Sequence, residues 1–412
     1  MTTVTRRNLL KTLGTASAMA VCAPYLARAA SDTIKIGGLH DLSGALDSTG
    51  VPMNDVFKLA IDEINQAGGL LGRQLEAITY DPQSNISLYS QYATQMALQD
   101  KVDVVLGGIT SSSREAIRPI FNRYKTLYFY STQYEGGVCD ANEITLGTTP
   151  AQTVAQLIPH GIKLFGKKVY TVAADYSYGH ITAAWVKRYV EEHGGEVVQT
   201  EFFPLDVSQF GSTVAKIQAA KPDFILSALV GTAHLGFYRQ WTAAGMKAQI
   251  PIMSTTFGAG GTEQVILTPE EGDGIISSFG YFEKLDNPEN KKFMEAVAAA
   301  YPKRTWAMSE ISEVTYESLT IWADAVREAG SLDRDAVRKA MTSGKTYTLP
   351  AGNVSVDPKT HHSIRDVYIA ELKNQQFEIK EKFAQVASTD TQAVCDLIAN
   401  PNTAKQFKIG AE

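Results

Sequence analysis

"TIKIGGL", residues 33–39, is a short apolar run typical of a buried strand, and a segment with helical periodicity follows it at residues 53–65. The apolar side chains that share one face of this helix are Val56, Leu59, Ala60 and Ile64. Gly68 and Gly69 come next, and the pair predicts the end of the helix. A strand followed by an amphipathic helix is the unit from which parallel α/β sheets are built.

The same unit repeats along the chain. Up to residue 149, apolar runs predict further strands at 75–81, 102–108, 127–131 and 143–149. The pattern restarts with a helix at 151–165, and later runs predict strands at 168–175, 196–203, 223–229 and 251–255. Two such series predict an α/β protein with two doubly wound lobes, each built on a parallel sheet. The pattern ends with helices at 288–301 and 309–342 and an antiparallel pair, "DVYIAEL" and "FEIKEKF".

The N-terminus predicts export. A basic start containing Arg6-Arg7, an apolar stretch to Leu26 and a small-residue site at Ala27-Arg28-Ala29 are typical of a cleavable signal over residues 1–29. The arginine pair resembles the twin-arginine type. The apolar stretch is shorter than the ~20 residues that a membrane-spanning helix needs. We therefore expect an exported, periplasmic protein cleaved near Ala29.

Charge and length narrow the class of protein. Removing residues 1–29 would take away four of the 38 basic residues and none of the 44 acidic ones, leaving a formal charge of −10. An acidic chain is a poor partner for nucleic acid, which normally requires a basic face. A chain of this length usually contains more than one domain.

The mature chain keeps two cysteines, Cys139 and Cys395. An exported protein permits a disulfide between them, and two free, partly buried thiols are the alternative. Neither cysteine belongs to a metal-binding motif, and the sequence contains no G-x-S-x-G elbow, no dinucleotide fingerprint after the first strand and no phosphate P-loop. We therefore predict neither an enzyme nor a cofactor.

Polar residues follow several predicted strands, where open parallel sheets bind their ligands. In "TSSSRE" (110–115), Ser111 is predicted to face a ligand and Ser113 to cap the next helix. In "DYSYGH" (175–180), Tyr176 and Tyr178 can each present a hydroxyl and a flat aromatic face. Thr232 occupies a similar position, although a threonine there is more often a simple helix cap.

The chain resembles type I periplasmic solute-binding proteins of the leucine/isoleucine/valine-binding branch. The resemblance is carried by "IKIGGLHDLSGAL" (34–46) and "DEINQAGGLLGRQLEAITYD" (62–81), and it extends over residues 33–375. Within this range "TSSSRE", "YSTQYEGG" (130–137) and "DYSYG" resemble the subgroup that binds urea and short-chain amides.

The resemblance implies an architecture and partners. The chain would cross three times between a lobe formed by 31–149 plus 281–350 and a lobe formed by 150–280 plus 351–385, with 386–412 as a C-terminal extension. The lobes would close on a small-molecule solute by a hinge motion. The closed protein, a monomer, would then deliver the solute to the membrane permease of an ABC importer.

The resemblance also assigns residues one by one. A serine at the position of Ser111 and a threonine at that of Thr132 hold the carboxylate in amino-acid binders and the amide in amide binders. A tyrosine at Tyr130 lines the pocket, and Tyr176 or Tyr178 supplies the phenol of the second lobe. Thr232 and Thr256 are further candidates from the second lobe.

One departure from the family pattern predicts the solute class. Amino-acid binders carry an acid after the "PIM" strand to pair with the ligand's ammonium, whereas this chain has Thr256 there and no acid anywhere in residues 254–261. Burying an unpaired ammonium is costly, so a neutral polar solute such as urea or a short-chain amide is favoured. Two alternatives remain open. Asp47 or Glu135, if it reached the cleft, would favour an amino-acid receptor, and a periplasmic sensory protein is a further possibility.

Overall fold

The computed structural model describes residues 33–408; the predicted signal at residues 1–29 lies outside them. The first sheet contains five parallel strands in the order β2-β1-β3-β4-β6. The strands of this part of the chain are β1 (Ile34–Leu39), β2 (Leu75–Tyr80), β3 (Val104–Gly107), β4 (Leu127–Tyr130), β5 (Val138–Asp140) and β6 (Glu143–Thr145). The four later strands of the sheet, like β1, fall within the predicted apolar runs.

Three helices connect these strands: α1 (Asp47–Gln66), α2 (Ile86–Gln95) and α3 (Ser111–Tyr124). A π-helical turn at Met96–Asp100 continues α2. Helix α1 begins six residues before the predicted helix, and its first turns lie directly on the end of β1. A Cβ atom on Gly50 would sit 2.0 Å from the backbone oxygen of Asp41, so only glycine allows this approach.

The second sheet has nine strands in the order β12-β13-β14-β11-β10-β9-β7-β8, and β15 pairs with β14. Strands β7 to β11 are parallel, whereas β14 runs antiparallel to β11, β13 and β15. The strands are β7 (Lys168–Ala174), β8 (Glu196–Phe203), β9 (Phe224–Ala228), β10 (Ile252–Ser254), β11 (Ile276–Phe279), β12 (Thr346–Leu349), β13 (Gly352–Val356), β14 (Ser363–Lys373) and β15 (Gln376–Val386). The predicted antiparallel pair is thus confirmed.

The helices of the remaining chain are α4 (Val154–Phe165), α5 (Ser177–Glu192), α6 (Gly211–Ala220), α7 (Thr232–Ala243), α8 (Glu263–Ile266), α9 (Pro269–Gly272), α10 (Pro288–Ala300), α11 (Glu310–Ala329), α12 (Arg334–Met341) and α13 (Thr389–Gln392). The single helix predicted at 309–342 is two helices. Gly330 adopts a left-handed conformation with φ of 60° and ends α11. Within residues 33–408, no helix combines the length and the apolar character needed to cross a membrane.

The chain crosses between the two sheets three times. It leaves the first sheet after Thr145, comes back after Phe279 and leaves again after Met341. Helices α11 and α12 pack on the first sheet, where Trp322 and Met341 share a core with Phe57 and Phe129. This arrangement is the predicted two-lobed α/β fold.

Strand β12 contacts both lobes, one through its backbone and the other through its side chains. Its backbone pairs with β13 and so extends the second sheet, yet its side chains Tyr347 and Leu349 pack in the core of the first sheet. A lobe boundary at residue 350 therefore falls in the turn between two paired strands. The lobe limits given above remain a prediction.

The C-terminal residues return to the first lobe. Strand β16 (Ala404–Gln406) pairs antiparallel with β5, and Cys139 forms a disulfide with Cys395. The sequence left the state of these two cysteines open, because they are 256 residues apart in the chain.

Candidate functional site

A cavity of about 70 Å³ lies where the carboxyl ends of strands from both sheets face each other. This volume corresponds to about two water molecules at the density of the liquid, so the cavity suits a solute of few heavy atoms. Six of the seven predicted residues line it, three from the first lobe and three from the second. They are Ser111, Tyr130, Thr132, Tyr176, Tyr178 and Thr256. That these residues contact a solute remains a prediction.

Thr232 is not among the cavity-lining residues. It is the first residue of α7, and its hydroxyl donates to the backbone oxygen of Leu205 at 3.2 Å. The preceding residue, Gly231, lines the cavity instead. The prediction for Thr232 is corrected, because the hydroxyl serves the local backbone at the start of the helix.

Helix α3 brings Ser111 to the cavity. Thr110 caps this helix, since its backbone is extended and its Oγ1 accepts from the backbone N–H of Ser113 at 3.1 Å. Ser113 was predicted to be the cap. Its hydroxyl instead donates to the backbone oxygen of Thr110 at 2.8 Å and accepts from the N–H of Ile109 at 3.2 Å. Ser111 therefore does not cap the helix, and its side chain can line the cavity.

The hydroxyls of the three predicted first-lobe residues all donate into the protein. Ser111 Oγ donates to Glu135 Oε2 at 2.5 Å, Tyr130 to the backbone oxygen of Ile109 at 2.8 Å, and Thr132 Oγ1 to that of Gly108 at 3.2 Å. A hydroxyl has one hydrogen to donate and two lone pairs that accept. These three groups can thus offer a bound solute acceptors only.

Glu135, one of the two acids that could have reached the cleft, lies behind the cavity wall. It is 1% exposed, and its Oε1 accepts from Arg114 Nη2 at 3.0 Å. The permanently protonated guanidinium balances its charge. Asp47, the other acid, is an exposed residue at the start of α1. Neither supplies a free carboxylate to a ligand.

Glu263 is the cavity residue that sequence reasoning missed. It lies two residues beyond the acid-free stretch 254–261, and the turn at Gly261 (φ 87°) brings its side chain back to the cavity. Its Oε2 is buried and has no hydrogen-bond partner among the described residues. Burial raises the pKa of Glu263 to about 7, against the opposing effect of backbone N–H groups such as those of Gly258 and Gly261. The side chain therefore places a carboxyl group with one unpartnered oxygen at the cavity wall.

The second lobe supplies neutral groups to the wall. Tyr178 shares a hydrogen bond of 3.1 Å with Thr255 Oγ1, and burial raises the pKa of the Tyr176 and Tyr178 phenols. His234 contacts the hydroxyl of Tyr238 at 2.8 Å, and burial lowers the pKa of this histidine to about 3, so it is uncharged at neutral pH. Of the described residues that line the cavity, none is a lysine or an arginine.

One contact joins the lobes beside the cavity. The side-chain amide of Gln133 donates to the backbone oxygen of Thr255 at 2.7 Å. The structure thus gives Gln133 a bridging role. No cluster of metal-ligating side chains occurs in residues 33–408. The site as a whole can bind a small polar molecule by accepting hydrogen bonds from the N–H groups of that molecule.

Comparison with known proteins identifies the family of the chain. The model of the family described as "periplasmic binding protein domain" matches residues 34–393. The Leu/Ile/Val-binding protein homolog 6 of Brucella melitensis is 23% identical over 86% of this chain and 92% of its own length. The leucine-, isoleucine-, valine-, threonine- and alanine-binding protein of Pseudomonas aeruginosa is 24% identical over 91% of this chain and 97% of its own.

Solved structures show the same fold. A solute-binding protein of an ABC transporter from Rhodopseudomonas palustris HaA2, in complex with p-hydroxybenzoic acid, superposes with a TM-score of 0.78 at 23% identity, over 86% of this chain and 98% of that one. A leucine-binding protein from Thermotoga maritima gives 0.74 at 19% identity, over 85% and 99%. Since the family model covers most of the sequence, the chain belongs to the periplasmic binding proteins, which bind solutes and are not enzymes.

Proposed function

We propose that the mature chain captures urea, a short-chain amide or a similar small neutral solute in the periplasm and delivers it to the membrane permease of an ABC importer. The observation that carries the solute class is the direction of the three first-lobe hydroxyls. Ser111, Tyr130 and Thr132 each donate to a protein acceptor and leave lone pairs for the solute.

Such a wall selects for solutes that donate hydrogen bonds. Urea and primary amides carry NH₂ groups, whereas a carboxylate has no hydrogen to donate. A carboxylate placed against these three hydroxyls would meet their lone pairs and gain no hydrogen bond from them. The volume of about 70 Å³ also favours urea and acetamide, which have four heavy atoms each.

An amino acid is the second candidate, and Glu263 favours it. A buried carboxyl oxygen without a partner could accept from an α-ammonium group. The curated relatives are named as amino-acid-binding proteins. The same ligand would also bring an α-carboxylate, to which Ser111, Tyr130 and Thr132 offer no hydroxyl hydrogen. We therefore place it second to a neutral amide, whose NH₂ can also reach Glu263.

A thermal-shift panel of the purified mature protein tests the assignment. The solutes are urea, formamide, acetamide, acetate, leucine, glutamate and choline, each at neutral pH. A solute present at 100 times its dissociation constant stabilises a native state that alone binds it by about 2.7 kcal/mol. We expect a shift with urea or an amide and none with acetate. A shift with leucine or glutamate alone would replace the proposal with the second candidate.

A further inference from the structure

The C-terminal segment reaches the back of the solute cavity. We call residues 389–407 the C-terminal clasp. A disulfide ties it to the first lobe at Cys139, strand β16 pairs with β5, and the N–H of Phe407 donates to the backbone oxygen of Gly137 at 2.7 Å. At its other end Asp390 accepts from the Thr149 hydroxyl at 3.0 Å. The clasp is thus fixed to the loop 133–140 that carries Glu135.

Gln406 connects the clasp to a buried ion pair. Its Nε2 donates to Glu135 Oε1 and to the backbone oxygen of Gly136, both at 3.1 Å, and its Oε1 accepts from Arg114 Nη2. Arg114 in turn donates to Glu135. One side-chain amide therefore bonds to both members of the pair.

Glu135 carries this constraint to the cavity. While Oε1 is held by Gln406 and Arg114, Oε2 accepts the hydroxyl hydrogen of Ser111 at 2.5 Å. The carboxylate orientation decides whether that hydrogen points into the protein or toward a solute. Ser111 is the only residue of this series that lines the cavity in the described part of the chain.

We propose that the C-terminal clasp sets the hydrogen-bond direction of Ser111, with Glu135 and Gln406 as positioning residues for solute selection. The inference rests on the proposed function in one respect, namely that Ser111 contacts the solute. Without the Gln406 amide, Glu135 can rotate about its remaining contact with Arg114. The Ser111 hydrogen then becomes free to point into the cavity, so an acceptor such as a carboxylate is no longer excluded.

The test compares Gln406→Leu with Lys405→Leu. Lys405 lies on the same strand and is exposed, so its variant controls for general effects on the clasp. Titration calorimetry of the full mature chain gives the dissociation constants of acetamide and acetate, which have nearly the same shape. We expect Gln406→Leu to reduce the preference for acetamide over acetate about tenfold, as befits one hydrogen bond. Lys405→Leu should keep the wild-type preference. The two variants should have similar melting temperatures.

A wild-type preference in Gln406→Leu would overturn the inference. A general loss of structure would weaken both solutes equally and leave their ratio unchanged, which also contradicts it. The double variant Cys139→Ser/Cys395→Ser should lower the same ratio, because it releases the clasp without touching Gln406.

A second readout separates this inference from the proposed function. If the wild type binds neither solute and the thermal-shift panel shows no shift with urea or formamide, the proposed function fails. Amide hydrogen exchange of residues 109–114 and 133–137 is then measured without solute. Several-fold faster exchange in Gln406→Leu than in Lys405→Leu would support the clasp. Equal rates in the two variants would refute it.

Discussion

The side-chain amide of Gln133 donates to the backbone oxygen of Thr255 at 2.7 Å and so joins the two lobes next to the cavity. Because the two groups lie on different lobes, the bond forms only when the lobes are together. Both groups are buried in this arrangement. A contact of this kind stabilises the closed protein relative to an open one.

Gln133→Leu should therefore weaken solute binding. The change removes the bond and leaves the Thr255 oxygen without this donor, an effect of about 1–1.5 kcal/mol, or a five- to tenfold higher dissociation constant for acetamide. Calorimetry measures the constant, and small-angle scattering should show a larger radius of gyration in the presence of solute. Gln249→Leu, at a surface site where the amide bonds within its own helix-end turn, is the control. Unchanged affinity in Gln133→Leu would refute the bridging role.

Glu263→Gln should change how stability depends on pH. The pKa of Glu263 is raised to about 7 in the folded protein, so the folded state holds a proton that the unfolded state releases between pH 4.5 and 7. Wild-type stability consequently falls as pH rises through this window, by up to about 3 kcal/mol from this group. The glutamine carries no charge and avoids the penalty. Relative to the wild type, the variant should gain stability at pH 8 and little at pH 4.5.

Denaturation with guanidinium chloride, which is not a proposed solute, measures this difference at both pH values. Glu270→Gln, an exposed glutamate nearby in the chain, is the matched control and should show no such gain. A Glu263→Gln variant whose stability parallels the wild type across the window would mean that the side chain is solvated in solution.

Arg365→Met should destabilise the protein strongly. Arg365 is fully buried between Glu313 and Glu317, with its Nη2 at 3.5 and 3.0 Å from their carboxylates, and its Nη1 donates to the Leu146 oxygen at 3.0 Å. The pKa of both glutamates is raised, chiefly by burial, although the guanidinium of Arg365 opposes this shift. Removing one partner of a buried ion pair typically costs about 3–5 kcal/mol. Chemical denaturation should show this loss, whereas Lys187→Met, from an exposed pair, should change stability by less than about 1 kcal/mol. A small loss for Arg365→Met would show that the glutamates are neutral and need no counter-charge.

Cys139→Ser/Cys395→Ser should lower stability by about 2–5 kcal/mol, as is typical when a native disulfide is removed. The bridge joins positions 256 residues apart and so restricts the unfolded chain over most of its length. Denaturation of the oxidised wild type and the double variant measures the difference. Equal stability would mean that the noncovalent contacts of the clasp suffice to hold it.

The repeated strand–helix pattern made most of the fold predictable. Apolar runs such as "VDVVLGG" are buried on both faces, which is why composition alone finds them. Strand β11, with the sequence ISSF, escaped because two serines interrupt a run of four residues. Strands β12 and β13 alternate exposed and buried residues over short lengths, so their apolar signal is weak.

The positions of most predicted residues on the cavity wall could be inferred from the sequence. The hydrogen-bond directions at the wall could not. A strand end located Ser111, since parallel strands end at one edge of a sheet, and the resemblance to solute-binding proteins located Tyr130 and Thr132. The direction of their hydroxyl hydrogens depends on Glu135 and on backbone oxygens, which sequence does not place. Glu263 was missed because its approach depends on a reversal at Gly261 rather than on its distance from β10 along the chain.

Titration calorimetry of acetamide and acetate with the wild type, Ser111→Ala and Thr132→Ala tests the proposed solute class. The direction of the Ser111, Tyr130 and Thr132 hydroxyls predicts that acetamide binds at least tenfold more tightly than acetate at pH 7. Each substitution should weaken acetamide severalfold and narrow this preference. Acetate binding as tightly as acetamide, or leucine binding where neither does, would contradict the account.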